Sequence, residues 1–158
     1  MGNFLDLYDL VEIDEFEKVK DILNENPSLA LGNDEYGFTL LHAAASAENL
    51  ELVKYLIDLG VDVNSRNDEG ISPLHIVLYP EVAKCLLDHG ALIDITANNG
   101  NTPLHTQVSD GEERIDIIQL LLKRGANPEI KNAFGKIALD IAKSREETLI
   151  IKELLKNS

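Results

Sequence analysis

The chain has 158 residues, with 28 acidic against 14 basic side chains and a formal net charge of −14. This charge repels phosphate backbones and anionic lipid head groups, so we expect neither a nucleic acid nor a membrane surface as ligand. One cysteine excludes an intrachain disulfide, and the absence of a secretory leader and of an 18-residue apolar stretch leads us to expect a cytoplasmic protein.

The composition favours helices throughout the chain. Apolar residues make up 44% of the sequence, while aromatic residues make up only 5%. The core therefore has to be built from Leu, Ile, Val and Ala, which suits packed helices better than packed sheets. The length is that of one domain, so we predict an all-α fold in a single domain.

A hexapeptide that opens with glycine recurs along the chain. It reads GFTLLH at 37–42, GISPLH at 70–75, GNTPLH at 100–105 and GKIALD at 135–140. Its Thr or Ser can cap a helix, and the proline present in two copies fits the first helical turn, where a missing N–H costs nothing. Each copy is predicted to begin a helix.

A second block follows the first three hexapeptides. It reads ELVKYLIDLG up to Gly60, EVAKCLLDHG up to Gly90 and DIIQLLLKRG up to Gly125. Its spacing of apolar residues predicts a second helix with one apolar face, and the closing glycine supplies the left-handed residue that ends it. Each closing glycine lies ten residues before the next opening glycine, and this interval reads as an extended arm around a tight turn.

This order of turn, helix, return helix and arm, repeated about every 33 residues, resembles the ankyrin repeat. The hexapeptides, the second block and the arm motifs GVDVN and GANPE match that family in register. The resemblance implies an ankyrin-repeat solenoid of stacked helix-turn-helix units with protruding hairpin arms, in one domain covering residues 1–158. Its units are residues 1–34, 35–67, 68–97, 98–132 and 133–158, of which the first and last are degenerate polar caps.

His42, His75 and His105 occupy the same place in three successive units. A residue reused in every unit serves what the units share, and the ankyrin resemblance implies that this histidine bonds to the turn and braces the neighbouring unit. Helices packed about 8 to 10 Å apart hold equivalent histidines too far from each other to share a zinc ion. We expect no metal, no cofactor and no catalytic site, because the sequence carries no motif for any of them.

Two reactive side chains lie near the end of the second block of the third unit. Cys85 aligns with Tyr55 and Leu120, so we expect a buried, inert thiol. His89 stands just before Gly90 and is interpreted as a cap of the helix C-terminus, where a donor is favoured by the helix dipole.

The ankyrin resemblance places partner contacts on the turn tips and on the exposed side of the first helices. The tips contribute Glu35, Tyr36, Phe38, Asp68, Glu69, Ile71, Asn98, Asn99, Asn101 and Phe134, and the first helices contribute Ser46, Ala47 and Asp110. Aromatic residues with acidic neighbours are typical of an interface. The alternative, that Phe38 and Ile71 only cover the adjacent arm, stays open.

Two units depart from the repeat pattern. Residues 76–89 are three residues shorter than the matching stretch of the preceding unit and carry Pro80 at the inter-helix turn, so the first helix should lose almost one turn and leave Tyr79 at a notch. In the next unit the stretch QVSDGEERI is two residues longer, which predicts an acidic loop beside that notch. Drift and a purposeful local pocket both explain these irregularities.

Together these features predict a non-catalytic binding protein that recognises a basic protein partner by its concave face, as an inhibitor, adaptor or antitoxin-like blocker. Residues 1–79 carry 16 acidic and 4 basic side chains, so the partner should dock towards that half of a protein that is monomeric when free. A structural subunit of a larger complex, with an apolar interface that salt barely weakens, is the alternative. An enzyme that uses Tyr79 and the acids at 110–113 is the third hypothesis.

Overall fold

The computed structural model describes residues 4–13 and 15–157, and it consists of short helices joined by turns. In these residues ten α-helices follow one another as five pairs: α1 (Phe4–Glu12) with α2 (Phe16–Glu25), α3 (Leu40–Ser46) with α4 (Leu50–Asp58), α5 (Pro73–Ile76) with α6 (Pro80–Asp88), α7 (Pro103–Asp110) with α8 (Ile115–Lys123), and α9 (Ala138–Ser144) with α10 (Thr148–Lys156). Short 3₁₀ helices cover Pro27–Leu31 and Glu112–Arg114. The described part of the chain contains no strand, only an isolated antiparallel bridge between Asn33 and Thr39, which confirms the all-α prediction.

The pairs stack so that like helices lie side by side. The first helices α1, α3, α5, α7 and α9 contact one another in that order, and the second helices α4, α6, α8 and α10 form a parallel row behind them. Each pair buries its apolar face against its neighbours, which gives the units a core that none could build alone. The predicted solenoid is confirmed.

The core is aliphatic and repeats with the units. Leu56, Leu86 and Leu121 hold equivalent places on three second helices and are fully buried. Burial of one such side chain stabilises the fold by about 1.5 to 3 kcal/mol. No helix in the described residues is both long enough and apolar enough to cross a lipid bilayer.

Helix α5 is the exception in the first row. It has four residues, whereas α3 has seven and α7 has eight. The chain leaves the helix at Val77, which is extended, and α6 begins at Pro80. The predicted loss of almost one turn is confirmed, since one turn is about 3.6 residues. The gap left beside α3 and α7 is called the notch below.

Candidate protein-binding surface

The chain forms four turn tips, at residues 34–38, 67–71, 97–101 and 132–136, which together are called the tip row. Neighbouring tips are joined by backbone hydrogen bonds: the N–H of Asp68 donates to the carbonyl of Tyr36, that of Asn98 to Glu69 and that of Ala133 to Asn99, each at 2.9 Å. Because this bond repeats from tip to tip, the exposed side chains of the row lie along one continuous edge.

Three of the four tips share one internal cap. Asp34, Asn67 and Asn132 each accept, through Oδ1, the backbone N–H groups two and four residues further on. The third tip has Ala97 at this place, and there the N–H of Asn101 donates to Oδ1 of Asn99 at 3.0 Å. The third tip is therefore held by a different side chain from the others.

Each repeated histidine ties its own turn to the next unit. Its Nδ1 accepts the backbone N–H of the capping Thr or Ser, at 3.1 Å for His42 and His75 and at 3.2 Å for His105. A ring nitrogen that accepts from an N–H carries no proton, so the proton sits on Nε2. This nitrogen donates to the carbonyls of Ile71, Asn101 and Lys136 in the following tips, at 3.0, 3.0 and 3.1 Å.

The histidine rings are neutral and fully engaged. Withdrawal from water lowers the pKa of all three, and the opposing effect of the hydrogen bond to the next tip is smaller. Both ring nitrogens already have partners, so these side chains have no free lone pair for a metal or for proton transfer. Among the described residues no group of three or more His, Cys, Asp or Glu side chains is arranged to hold a metal ion.

Asp140 stands at the histidine position of the last pair. Its Oδ2 accepts the backbone N–H of Ile137 at 3.1 Å, which reproduces the cap made by Nδ1 in the other units. A carboxylate has no proton to donate, so Asp140 cannot make the hydrogen bond to a following carbonyl that Nε2 makes in the other units.

The predicted contact residues fall into two groups. Seven residues of the tip row are exposed, namely Glu35, Tyr36, Asp68, Glu69, Asn98, Asn99 and Phe134, while Phe38, Ile71 and Asn101 are half-buried. Ser46, Ala47, Tyr79 and Asp110 lie at or beyond the far ends of the first helices, which are roughly 6 to 12 Å long at 1.5 Å per residue. The structure brings the first group together and leaves the second apart, and the contacts of both with a partner stay a prediction.

The aromatic residues of the tip row differ in their surroundings. Tyr36 and Phe134 are 60% and 76% exposed and lie in the first and the last tip. Phe38 instead packs edge-on against the ring of His42, with 5.4 Å between ring centroids. Phe38 therefore covers a structural histidine as well as lining the surface, whereas Tyr36 and Phe134 keep most of their rings in water.

Charge along the tip row changes sign. Glu35, Asp68 and Glu69 are exposed, and none of them forms an ion pair with a described residue. The third tip carries asparagines and the fourth carries Lys136. A shallow cleft of about 260 Å³ lies between the second and third tips, lined by Asp68, Glu69, Ile71, Ala97, Asn98 and Asn99. Pockets for small molecules span about 300 to 1,000 Å³, so this cleft lies just below that range.

Gln107 was missed by the sequence analysis. It is fully buried in α7, and its Nε2 donates to the carbonyl of His75 at 3.1 Å and to that of Val77 at 3.0 Å. In a longer α5 the first of these carbonyls would accept the N–H of residue 79; here α7 supplies the donor that the missing turn lacks. The available signal was its register, because Gln107 aligns with the buried Ala44 of an earlier unit.

The acidic loop that was expected beside the notch is anchored elsewhere. Glu112 accepts the backbone N–H of Leu149 at 2.9 Å, which ties the loop to the start of α10. Asp110 lies 3.7 Å from Arg114 of the same loop. The notch is closed by Gln107, and the loop joins the fourth pair to the fifth.

Cys85 and His89 lie on α6, in the second row of helices. The thiol is buried and forms no disulfide, its Sγ lies 3.6 Å from Nδ1 of His89, and burial raises its pKa. Nδ1 of His89 donates to the carbonyl of Cys85 at 2.8 Å, at the C-terminal end of the helix. Both observations agree with the interpretation of an inert thiol and a helix cap.

A comparison with known families matches this geometry. A family model described as ankyrin repeats in three copies fits residues 10–97, 41–132 and 77–158. The chain belongs to the ankyrin-repeat family. Ankyrin repeats mediate protein–protein interactions and are in general non-catalytic modules.

The chain is similar to several proteins of known name. The chain is 34% identical over 138 residues to the probable 26S proteasome regulatory subunit p28 of Saccharomyces cerevisiae, covering 82% of this chain and 60% of that protein. It is 35% identical over 86 residues to human protein phosphatase 1 regulatory subunit 27, covering 52% of this chain and 56% of the relative. It is also 36% identical over 106 residues to the human transient receptor potential cation channel subfamily A member 1, covering 65% of this chain and 9% of the channel. The chain thus spans less than two thirds of the length of these relatives.

Proposed function

We propose that this ankyrin-repeat chain binds a basic protein partner along the tip row and the exposed ends of the first helices, without catalysis. The observation that carries the proposal is the surface of the first two tips, where Glu35, Asp68 and Glu69 are exposed beside Tyr36. A large apolar anchor within a charged rim is the usual anatomy of an interface. Acidic side chains without internal partners attract a basic surface from a distance and orient it on approach.

The chain acts by occupying its partner, as an inhibitor, adaptor or blocker. Two relatives are named as regulatory subunits, one of the proteasome and one of protein phosphatase 1, and this supports a regulatory role here. The proposal includes a monomeric free state, supported by the net charge of −14, which keeps copies apart. It also includes a cytoplasmic location, supported by the likeness to a probable proteasome regulatory subunit.

The test is a comparison of tip variants as bait. Immobilised wild-type chain and the double variant Asp68→Asn, Glu69→Gln are exposed to the same lysate, and the proteins they retain are identified and then purified. A partner of the proposed kind has a basic surface and binds the double variant at least several-fold more weakly. Its affinity for the wild type also falls as ionic strength rises, because salt screens exposed charges.

A matched control removes the same charge from the other side of the molecule. Glu51→Gln with Glu81→Gln neutralises two exposed carboxylates on α4 and α6, and it should leave the affinity unchanged. Equal losses of affinity in both double variants would mean that the acidic residues of the tip row act only through the overall charge of the chain. An affinity that does not respond to salt would remove the electrostatic part of the proposal.

The second candidate is a structural subunit of a larger assembly. It is favoured by the likeness to the proteasome regulatory subunit, which extends over 82% of this chain. This function predicts co-purification at a fixed stoichiometry that resists high salt, together with a large apolar interface. Size-exclusion chromatography of the captured complex at low and high salt separates the two candidates.

A further inference from the structure

Asn99 is the only asparagine of the sequence that is followed by glycine. Asparagine is among the thermally labile residues of proteins. Its side-chain amide is open to attack by the backbone nitrogen of the next residue, and this attack is least hindered when that residue has no Cβ. Asn99 is also exposed, in the third tip.

A hydrogen bond restrains the side chain of Asn99 beside Gly100. The N–H of Asn101 donates to Oδ1 of Asn99 at 3.0 Å, which folds the side chain across the nitrogen of Gly100. The same hydrogen bond draws electrons away from Cγ and makes it a better target. In the other tips the equivalent N–H groups of Phe38, Ile71 and Lys136 donate to Asp34, Asn67 and Asn132 instead. Asn67, Asn127 and Asn132 also accept the N–H two residues further on, but each is followed by a residue that has a Cβ, whereas Asn99 is followed by Gly100.

We propose that Asn99 is a site of spontaneous deamidation in the folded protein. The nitrogen of Gly100 forms a bond to Cγ of Asn99, its proton leaves with the side-chain nitrogen as ammonia, and a five-membered succinimide results. Water then opens the ring at either carbonyl. One product is aspartate with the normal main chain, and the other is isoaspartate, in which the main chain runs through Cγ. Water is the only reactant consumed, and each product adds one negative charge.

One contact restrains the reaction. The N–H of Gly100 donates to the carbonyl of Ala97 at 2.9 Å, so this turn has to open briefly before the nitrogen can lose its proton. Local opening of exposed turns is part of normal protein motion. The conversion is therefore slower than in an unfolded chain, and it accelerates as the pH rises, because hydroxide removes that proton.

The product disturbs the contacts with both neighbouring units. The carbonyl of Asn99 accepts the N–H of Ala133 at 2.9 Å, and the carbonyl of Asn101 accepts Nε2 of His75 at 3.0 Å. In isoaspartate the main chain passes through Cβ and Cγ of residue 99, and the carbonyl that accepted the N–H of Ala133 becomes part of a free carboxylate outside the main chain, so the turn cannot keep both bonds in their present geometry. Deamidation thereby loosens the third tip and extends the acidic character of Asp68 and Glu69 into it.

Peptide mapping tests the proposal. Purified wild-type chain is incubated at neutral and at mildly alkaline pH, then digested and examined by mass spectrometry, with an isoaspartyl methyltransferase to reveal isoaspartate. The expected result is conversion at Asn99 several-fold faster than at Asn67, Asn98 or Asn132, and faster still at the higher pH. Conversion at Asn99 that is absent, or no faster than at the other asparagines, would overturn the proposal.

Two variants separate the geometry from the bare sequence. Ala97→Asn gives the N–H of Asn101 the acceptor used in the other tips and should slow conversion at Asn99 several-fold, although the Asn99–Gly100 pair is kept. Asn98→Gln is the control, since it changes the neighbouring amide and should leave the rate of Asn99 as in the wild type. Circular dichroism and thermal unfolding establish that both variants are folded. An unchanged rate in folded Ala97→Asn contradicts the role of the side-chain bond.

Discussion

At the scale of single residues, Gln107 shows how the array accommodates a helix that is one turn short. Ending α5 at Ile76 leaves the carbonyls of His75 and Val77 without their helical donors, inside a region closed to water. A buried carbonyl without a hydrogen bond costs about 1 to 3 kcal/mol. One side chain from the next unit satisfies both carbonyls, so the notch is closed without restoring the missing turn.

Gln107→Leu should lower the free energy of unfolding by about 1 to 3 kcal/mol, because it leaves two buried carbonyls unsatisfied, and this cost is partly offset by removal of the buried Oε1, which has no hydrogen-bond partner among the described residues. Urea denaturation followed by circular dichroism measures the change. The matched control is Gln119→Leu on α8, where the amide is exposed and donates to Glu153 at 3.2 Å; its effect should stay within about 0.5 kcal/mol. Equal effects in the two variants would contradict the role assigned to Gln107.

Single residues also differ in how far their roles could be predicted from the sequence. The three histidines were recognisable because they recur in register, and their bonds run to the neighbouring turn. Gln107 occurs once, and the carbonyls it serves lie 30 and 32 residues away in sequence. Nothing in the sequence near Gln107 reveals that α5 ends where it does, so only the packed structure identifies its task.

At the scale of elements, a glycine without a Cβ allows neighbouring tips to approach closely. A Cβ on Gly100 would lie 2.7 Å from the backbone nitrogen of Ala133 in the next tip, and φ of this residue is +76°. Gly90, which ends α6, has a similar φ of +92° and open space around it. The two glycines share the left-handed conformation but differ in crowding.

Gly90→Ala should therefore destabilise the fold by about 1 to 2 kcal/mol, the usual cost of a left-handed residue with a Cβ. Gly100→Ala carries the same cost and in addition pushes two tips apart, which adds about 1 to 3 kcal/mol. Unfolding in urea under identical conditions gives both values. If Gly100→Ala proved no worse than Gly90→Ala, close approach of the tips would not contribute to stability.

The three bracing histidines make the stacking of elements sensitive to pH. Burial lowers the pKa of His42, His75 and His105 in the folded state, whereas an unfolded chain binds protons near pH 6.5. The unfolded state therefore takes up more protons as the pH falls. The contribution of the three histidines to the free energy of unfolding is fully present above about pH 6.5. It declines below that pH, by up to about 1.4 kcal/mol per pH unit for each histidine.

Urea unfolding at several pH values between neutral and mildly acidic should show this decline in the wild type. His75→Gln should be less stable at neutral pH but lose less stability on acidification. Ser72→Ala, which removes a hydroxyl next to the ring and keeps the imidazole, should retain the full decline. Proton NMR of the imidazoles checks the cause directly, because resonances that titrate at or above pH 6.5 in the folded protein would contradict it.

At the scale of the whole molecule, the main contacts of each helix pair in the described part of the chain are with the pairs beside it. Stability in such an array is close to a sum of unit and interface contributions, so its parts can open separately. Leu86 of α6 lies in a pair flanked on both sides, and Leu154 of α10 lies in the last described pair. Both leucines are fully buried on second helices, so their removal compares an inner pair with an outer one.

Leu86→Ala should cost about 2 to 5 kcal/mol and reduce hydrogen-exchange protection in α3 to α8 together, because it weakens two interfaces. Leu154→Ala should reduce protection mainly in α9 and α10 and leave α3 to α6 close to the wild type. Hydrogen exchange followed by mass spectrometry resolves these segments. A uniform loss of protection in both variants would mean that the molecule unfolds as one unit.

The repeat, the helix starts, the aliphatic core and the place of the histidines could be predicted from the sequence, because each depends on residues close together in the chain. Three outcomes appear only in the packed structure: Gln107 closes the notch, the acidic loop is anchored on α10, and Asn99 caps the third tip, where Ala97 offers no side chain for that bond. These outcomes depend on backbone groups that a neighbouring unit or an irregular turn leaves without a hydrogen-bond partner. The sequence does not show which backbone groups these are, so they can be identified only when the units are packed together.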